Sequence, residues 1–332
     1  MAERLALRAG GRGAKPDNRP HMHLIVPFAG SVSPTGQLAQ QTLSLPNLER
    51  LLPRLALAHT LGKDEYTLSP PHELALAHAK GWALNDGALP WAAELATQLT
   101  APAGLTVGDP PWALLTLVHM HVGAEQVRLT DPAALDVDEA TSRSFIEAVR
   151  PLFESEGFGL HWLDAKRWLA THPLFDGLAT ASLDRVHGRN VDPWLPDQRS
   201  ARLLRRLQNE VQMVLYTHPL NEAREAAGQP PVNSFWCHGC GNAQAAQNTA
   251  AVQVDDRLRA PALNEDWAAW REAWAALDAG PIAALLQSAE PATLSLCGER
   301  TAQTWQTAPR SLLQRLGGLF QRRTAPAWLE PL

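Results

Sequence analysis

The chain has 332 residues, of which 45% are hydrophobic and 19% are charged, so it contains enough apolar material for one or two globular domains. Its formal net charge of −5 argues against a general nucleic-acid-binding protein, because such binding requires a basic face. No uninterrupted apolar run of about 18 residues is present, so we expect no membrane-spanning helix and no membrane partner.

The composition of the N-terminal residues and the number of cysteines indicate the cellular compartment of the protein. Residues 1–21 contain several basic side chains but lack the apolar stretch of a secretory signal, so we predict a disordered basic arm. The three cysteines, Cys237, Cys240 and Cys297, are too few for a disulfide framework. Together these features favour a cytoplasmic location.

Predicted strands and helices alternate along the chain. Apolar runs and apolar/polar alternation predict strands at residues 23–28, 112–121, 126–129, 158–163, 167–170, 232–236 and 293–297. Helical periodicity and capping residues predict helices at residues 45–52, 70–82, 91–99, 138–155, 199–215, 266–277 and 281–287. This alternation favours a layered α/β architecture.

The segment after the 199–215 helix carries the most informative pattern. Pro219 ends that helix, because proline disfavours helical backbone in the residue before it and has no N–H to donate. Asn221 is then predicted to cap a second helix, which Gly228 would stop. The strand that follows is predicted to run into a glycine turn at residues 239–241.

Four polar side chains of this segment are predicted to face one crevice, namely His218, Asn221, Arg224 and Asn233. Guanidinium and amide groups donate hydrogen bonds to an oxyanion without consuming protons, so the set predicts an anion site. The alternative interpretation is that Asn221 only caps a helix and that Arg224 only covers apolar surface.

A glycine-containing loop over residues 185–192 supplies further candidates. It contains Arg185, His187, Arg189 and Asn190, of which Arg189 and Asn190 could join Arg224 around an anion. The alternative is that the charges of the loop pair with one another.

Two short motifs suggest metal or redox chemistry. His119 and His121 form a His-x-His pair, which on a strand places both imidazoles on one face, as in some zinc sites. No cluster of acidic or histidine residues stands near the pair in the sequence, so a metal site is the less favoured interpretation. Cys237 and Cys240 form a lone Cys-x-x-Cys, which would need two more ligands to hold zinc or a helix start to act in redox chemistry.

Three spaced motifs resemble the cofactor-independent phosphoglycerate mutases of the archaeal type, which belong to the alkaline-phosphatase superfamily. They are His-Pro-x-Asn-x-x-Arg at 218–224, Pro-x-Asn at 231–233 and Trp-x-x-Gly-x-Gly at 236–241. The resemblance covers about residues 112–241. Over its full length the chain resembles the bacterial RpfE-type regulatory proteins, described as phosphoglycerate-mutase-like, notably at residues 188–196 and 207–210.

The resemblance implies an α/β fold with a layered alkaline-phosphatase-like core and an inserted α+β substrate-side domain. Residues 22–111 and 242–308 would form the core, and residues 112–241 would form the inserted domain. Residues 309–332 would follow as an amphipathic basic tail, which could touch an acidic partner or lie on the surface as a solvated helix.

The chain departs from the mutase pattern where that family binds metal. The first strand of the mutase ends in a metal-binding Asp-Gly, whereas here it ends at residues 27–30, Pro-Phe-Ala-Gly. The metal-ligating Asp-His of the family is replaced by Glu299 and Arg300, and no counterpart of the phosphoserine nucleophile is found. The family chemistry uses two divalent cations in a carboxylate cage, which Glu299 alone could not replace.

We therefore expect a non-catalytic regulatory protein of phosphoglycerate-mutase-like ancestry. It would bind a small phosphorylated metabolite or nucleotide and signal to a protein partner, with no cofactor. The expected ligand-binding residues are Arg189, Asn190, His218, Asn221, Arg224 and Asn233.

Two alternatives stay open. The first is an active phosphomutase or phosphohydrolase with a rebuilt divalent-metal site for Mn, Zn or Mg, in which His119, His121 or Glu299 are ligands. The second is a pure interaction scaffold that docks a partner through the basic tail or through tryptophan-rich surfaces.

Overall fold

The computed structural model describes residues 22–98, 110–123, 126–196, 201–248, 251–307 and 323–332. The predicted arm over 1–21 and residues 309–322 of the predicted tail lie outside the described residues. Within the described ranges, no helix is long and apolar enough to cross a membrane.

Strands and helices alternate along most of the chain. The strands are β1 (Met22–Val26), β2 (Ala56–Gly62), β3 (Trp112–Val118), β4 (Met120–Val122), β5 (Val127–Leu129), β6 (Gly159–Trp162), β7 (Arg167–Thr171), β8 (Ser234–Gly241), β9 (Val252–Val254), β10 (Ala292–Cys297) and β11 (Thr301–Gln306). The α-helices are α1 (Pro34–Gln41), α2 (Pro46–Leu51), α3 (Pro71–Lys80), α4 (Trp91–Gln98), α5 (Glu139–Ser155), α6 (Leu183–Val186), α7 (Ala201–Tyr216), α8 (Pro219–Ala226), α9 (Arg259–Leu263), α10 (Trp267–Leu277), α11 (Ala283–Gln287) and α12 (Ala325–Leu329). A π-helical segment, Asp278–Ile282, joins α10 to α11.

The first sheet has five strands in the order β2-β11-β10-β1-β9. β1 runs parallel to both β9 and β10, and β11 pairs antiparallel with β10 and with β2. Every residue of β10 is buried, which is the pattern of a strand covered on both faces. Trp270 and Trp274 of α10 pack into the same core as Leu294 and Leu296 of β10.

The second sheet has four antiparallel strands in the order β6-β7-β3-β8. The amphipathic helices α5 and α7 cover it, and the core between them includes Phe145 and Phe153 from α5. Trp168 of β7 donates from its Nε1 to Ser142 Oγ of α5 over 3.1 Å, which satisfies the indole within the core. β4 and β5 form a separate two-stranded ribbon.

The predicted α/β class is therefore observed, as a mixed sheet and an antiparallel sheet with packed helices. The strands of the first sheet come from residues 22–62 and 252–306, and those of the second sheet from residues 112–241. The division into a core and an inserted domain with the predicted boundaries stays a prediction.

Most of the predicted helices and strands are confirmed, with shifts at their ends. β2, β9 and β11 were not predicted. β9 has three residues, and β2 shows no regular alternation of buried and exposed side chains, so neither gives a clear periodic signal.

The predicted start of the second helix after Pro219 was wrong. The helix α8 begins at Pro219, not after Asn221, and His218 is its N-cap, with Nδ1 accepting a hydrogen bond from Leu220 N. Proline fits the first helical position because its missing N–H has no helical partner there. The predicted glycine turn at 239–241 was also wrong, because β8 continues to Gly241.

The last ten described residues pack on the first sheet. Ala325, Leu329 and Leu332 belong to the core of that sheet. The backbone N–H groups of Arg300 and Thr301 donate to Leu332 O over 2.9 and 3.0 Å. Residues 323–332 are thus held against the turn between β10 and β11.

Candidate functional site

The carboxyl ends of β1, β9 and β10 meet at one edge of the first sheet because these strands are parallel. In open α/β sheets this edge is the usual position of a ligand site. The loop from Phe28 to Ser33 leaves β1 here, and Gly298 and Glu299 follow β10. A cavity of about 240 Å³ lies at this edge, and we call it the carboxyl-edge cavity. Its lining includes Ser31, Val32, His72, Asp184, Arg185, His187, Arg189 and Glu299.

The carboxylate of Glu299 is held by three donors at the cavity. Its Oε1 accepts hydrogen bonds from Ser31 Oγ at 3.1 Å and from Val32 N at 3.0 Å. Its Oε2 lies 2.7 Å from Arg189 Nη2. A hydroxyl, a backbone amide and a guanidinium are donors that bind oxyanions in general, so this arrangement is already an anion-binding one.

Arg185, in α6, is almost completely buried, with 3% of its surface exposed. Its Nη1 donates to Glu299 O at 2.7 Å, and its Nη2 donates to Thr67 Oγ1 at 2.6 Å and to Ser69 O at 3.4 Å. These partners are neutral oxygens. The Nε of Arg185 has no hydrogen-bond partner within the described ranges.

The charge of Arg185 is only indirectly compensated. Burial, followed by repulsion from Arg189, lowers the pKa of Arg185 to about 10, although Glu299, Asp86 and Glu73 oppose this shift from a distance. The group still carries its proton at neutral pH. The cavity therefore contains a buried cation whose direct contacts in the described part of the chain are uncharged.

His187, whose side chain also lines the cavity, contains a second atom without a partner among the described residues. Its side chain is 8% exposed, and its Nε2 lies 3.8 Å from Asp131 Oδ1, which is too long for a hydrogen bond. Its Nδ1 makes no hydrogen bond to any described residue. Burial lowers the pKa of His187, so the imidazole is neutral at neutral pH and one of its nitrogens can donate.

Asp184 is neutralised within the protein. His72 Nε2 lies 3.2 Å from its Oδ2, and Arg259 Nε lies 3.0 Å from both carboxylate oxygens. Burial would raise the pKa of Asp184, but the hydrogen bonds from His72 and Arg259 outweigh it and hold the pKa well below the ordinary range. Asp184 therefore ties α3, α6 and α9 together, and its own negative charge is compensated by Arg259 and by the bond from His72.

A second cavity, of about 560 Å³, lies on another side of Asp184 and is also lined by Glu73, Thr116, Ser182 and His238. Thr116 Oγ1 and His238 Nε2 are 3.0 Å apart, and burial lowers the pKa of His238 to about 4. Burial raises the pKa of Glu73, whose Oε1 accepts from Ser182 Oγ at 2.5 Å. Because its charges are mixed in sign and mostly bonded to each other, this cavity indicates no single class of ligand.

The structure does not bring the six predicted ligand residues together at the carboxyl-edge cavity. Arg189 lines the carboxyl-edge cavity, whereas Arg224 is buried and donates to the carbonyl oxygens of Leu135, Asp136 and Pro230. The predicted role of Arg224 around an anion is corrected on this point, because its donors are used to satisfy backbone carbonyls.

The side-chain amides of Asn221 and Asn233 also form hydrogen bonds with backbone groups. Asn221 donates from Nδ2 to the carbonyls of Leu215 and Val232, each at 2.8 Å, and its Oδ1 accepts from Val232 N at 2.9 Å. Asn233 accepts from Met120 N at 2.7 Å and donates to Met120 O at 2.9 Å. Both asparagines hold segments together, and neither lines the carboxyl-edge cavity.

His218 and Asn190 likewise lie outside the lining of the carboxyl-edge cavity. His218 caps α8 and packs edge-on against Phe145, with ring centroids 5.0 Å apart. Asn190 accepts a hydrogen bond from Asp192 N at 3.3 Å through its Oδ1 and forms an isolated β-bridge with Arg128. Of the six predicted residues, Arg189 is thus the one that the structure brings to the carboxyl-edge cavity.

The residues of the metal alternative are not brought together either. Glu299 lines the carboxyl-edge cavity and is bound by Arg189, whereas His119 Nδ1 lies 2.9 Å from Pro231 O. His119 and His121 have ring centroids 6.4 Å apart, and neither lines that cavity. Among the described residues, no three or more His, Cys, Asp or Glu side chains are grouped as metal ligands would be.

The sequence interpretation missed several residues of the cavity, above all Ser31, Val32 and His72. Arg185 and His187 were noted in the 185–192 loop but were given no role. The sequence could have indicated Ser31 and Val32 as site residues, because they follow the first predicted strand. The carboxyl end of a parallel strand is the expected place for a ligand site.

A scan of protein-family models finds none that matches the chain. A protein of Geobacter sulfurreducens named "Probable 2,3-bisphosphoglycerate-independent phosphoglycerate mutase" is 25% identical over 154 residues, which make up 43% of this chain and 36% of that protein. The match thus spans about a third of the length of that relative. It supports a phosphoglycerate-mutase-like ancestry for this mixed α/β chain.

Two solved structures are similar over most of the chain. A protein from Pyrococcus horikoshii is 12% identical, with a TM-score of 0.45, and the alignment covers 87% of each chain. The cofactor-independent phosphoglycerate mutase from Thermoplasma acidophilum is 12% identical, with a TM-score of 0.36 and coverage of 86% of this chain and 89% of that one. The resemblance to the RpfE-type regulatory proteins stays a prediction.

Proposed function

We propose that this chain is a non-catalytic regulatory protein that binds a small phosphorylated or similarly anionic ligand in the carboxyl-edge cavity and signals to a protein partner. The observation that carries the proposal is the pair of unpartnered nitrogens, Arg185 Nε and His187 Nδ1, on buried side chains that line this cavity.

A buried donor without an acceptor costs about 1–3 kcal/mol, and more when the group is charged. Both nitrogens are enclosed, so a ligand in the cavity reaches them only when lining side chains move. Its acceptor oxygens would then remove this cost at Arg185 Nε, and at His187 if its Nδ1 carries the proton. It would also give the Arg185 guanidinium a direct anionic partner. A phosphate group suits this task because it presents several acceptor oxygens and up to two negative charges.

Two observations support a binding role over a catalytic one. Residues 27–30 stand where the resemblance implies a metal-binding Asp-Gly, and their side chains offer no carboxylate. The Glu299 carboxylate is engaged by Ser31, Val32 and Arg189, so cationic and hydrogen-bond donors already surround it. This environment favours an anionic ligand over a cation.

Isothermal titration calorimetry tests the proposal with inorganic phosphate, a phosphorylated three-carbon acid and a nucleoside monophosphate. Arg185→Met removes a buried charged donor, and we expect at least about a tenfold loss of affinity. Arg189→Gln changes a side chain that is 40% exposed, so it can be tested without disturbing the core, and we expect a smaller loss.

Arg206→Gln is the matched control, because this arginine of α7 is 54% exposed and does not line the cavity. Circular dichroism establishes that each variant is folded. The site assignment is wrong if the folded Arg189→Gln and Arg185→Met proteins bind every ligand as tightly as the Arg206→Gln control does.

A further inference from the structure

The carboxylate of Glu299 is bound as a ligand anion would be. One oxygen accepts from a hydroxyl and a backbone amide, and the other accepts from a guanidinium, at distances of 3.1, 3.0 and 2.7 Å. The side chain is 17% exposed, so these contacts form in a largely enclosed place. Buried charge-assisted hydrogen bonds of this kind recur where proteins bind carboxylates and phosphates.

These donors line the same cavity as the two unpartnered nitrogens. Ser31, Val32 and Arg189 line the carboxyl-edge cavity together with Arg185 and His187. Arg185 also donates to the backbone oxygen of Glu299 at 2.7 Å, so the turn that carries Glu299 is fixed beside the buried cation. An anion entering the cavity would therefore meet the Glu299 carboxylate at short range, and two like charges at such a distance repel each other.

We infer that Glu299 is an internal occupant of the anion site, which an incoming ligand must displace from Ser31, Val32 and Arg189. This inference rests on the proposed function, because it describes how access to the same cavity is regulated. The ligand takes over the three donors and adds bonds to Arg185 and His187, while the Glu299 side chain moves out toward solvent. Because the ligand competes with this carboxylate for the same donors, Glu299 lowers the apparent affinity of the site, and a higher ligand concentration is needed to fill it.

A second carboxylate at the cavity provides a comparison. Glu265 lines the cavity too, but its side chain makes no hydrogen bond to a described residue. Removing its charge makes the potential of the cavity less negative but leaves Ser31, Val32 and Arg189 as they are. Comparing substitutions of the two glutamates thus distinguishes direct competition for the donors from a general effect of negative charge.

The test is calorimetric titration with inorganic phosphate at low ionic strength, for the wild-type, Glu299→Gln and Glu265→Gln proteins. We expect Glu299→Gln to bind phosphate about tenfold more tightly than wild type, because the competing charge is gone while the shape of the side chain is kept. Glu265→Gln should gain much less. Equal gains in the two variants, or an unchanged or weaker affinity in Glu299→Gln, would overturn the inference while leaving the proposed function standing.

An NMR measurement tests whether Glu299 leaves its three donors when phosphate binds. The Val32 amide resonance should shift on saturation with phosphate in the wild type, because its N–H exchanges the Glu299 oxygen for a ligand oxygen. Phosphate binding that leaves this resonance unmoved would show that Glu299 keeps its place, and the inference would be wrong. If neither wild type nor Glu299→Gln binds phosphate or the phosphorylated ligands, the proposed function itself fails.

Discussion

The sulfur atoms of Cys237 and Cys240 lie 3.7 Å apart inside the second sheet. Residues three apart on a regular strand point to opposite faces, so their proximity requires an irregular strand. The pairing of β8 with β3 shifts register in this region, and Gly239 between the cysteines has a φ of +65°. The shift in register places both thiols in the same core.

The three cysteines should be unreactive in the folded protein. Cys240 and burial together raise the pKa of Cys237, and burial raises the pKa of Cys297, so little thiolate exists at neutral pH. We expect an aromatic disulfide reagent to label none of the three thiols in the native state and all three in guanidinium chloride. Rapid native labelling of Cys237 or Cys240 would contradict the burial described for them.

The Gly239→Ala variant should lose stability for two reasons. A Cβ there would lie 3.2 Å from Ala92 N and from Trp91 Cβ, and the positive φ disfavours any side chain. We expect a loss of about 2–3 kcal/mol in the free energy of unfolding. Gly157→Ala is the control, because its φ is +81° but no atom lies within 4 Å of the added Cβ, so only the backbone strain remains. Urea denaturation of both variants compares them, and equal losses would show that the contact with Ala92 is unimportant.

Arg224→Ala should destabilise the protein without weakening the binding of phosphate. The substitution removes the guanidinium donor of the carbonyl oxygens of Leu135, Asp136 and Pro230, which should cost about 3 kcal/mol. Urea denaturation measures this loss, and calorimetric titration measures phosphate affinity in the same preparation. A large drop in affinity with unchanged stability would restore the original assignment of Arg224 to the ligand site.

Acid should destabilise the fold through His238. Its folded-state pKa is about 4, whereas the ordinary value is 6.5, so the unfolded chain binds the proton first as the pH falls. The free energy of unfolding should therefore decrease between pH 6.5 and 4, by up to about 3 kcal/mol from this group.

His238→Gln isolates that contribution. Between pH 7 and pH 4.5 the variant should lose about 2 kcal/mol less than wild type, because glutamine does not titrate and all other groups are shared. Urea denaturation at the two pH values gives the comparison. Parallel losses in the two proteins would mean that His238 is protonated in the folded state as readily as in the unfolded one.

The long amphipathic helices could be predicted from the sequence because their apolar stripes are unambiguous. α5 was predicted at residues 138–155 and is observed at Glu139–Ser155, with Asp138 as its N-cap. The short strands β2 and β9 could not be predicted, because neither carries a periodic pattern and their pairing depends on distant segments.

The candidate site was only partly predictable for a related reason. Residue types showed that Asn221 and Arg224 could donate hydrogen bonds, but the sequence does not show which backbone carbonyls need a donor. In the folded chain those needs are met by Asn221 and Arg224, whereas Arg185 lines the carboxyl-edge cavity as a buried cation whose direct partners in the described ranges are uncharged. Local pattern identified the loop at residues 185–192 and named Arg189, which lines the cavity, but it gave no role to Arg185.

The glycines at positions 30 and 298 line the cavity on one side and meet the C-terminal residues on the other. A Cβ at Gly298 would lie 2.5 Å from Leu332 Cβ, and one at Gly30 would lie 3.2 Å from the same atom. Leu332 thus packs against the loops that contain Gly30 and Gly298. A change at Leu332 should therefore shift both loops and alter the shape of the cavity that they line.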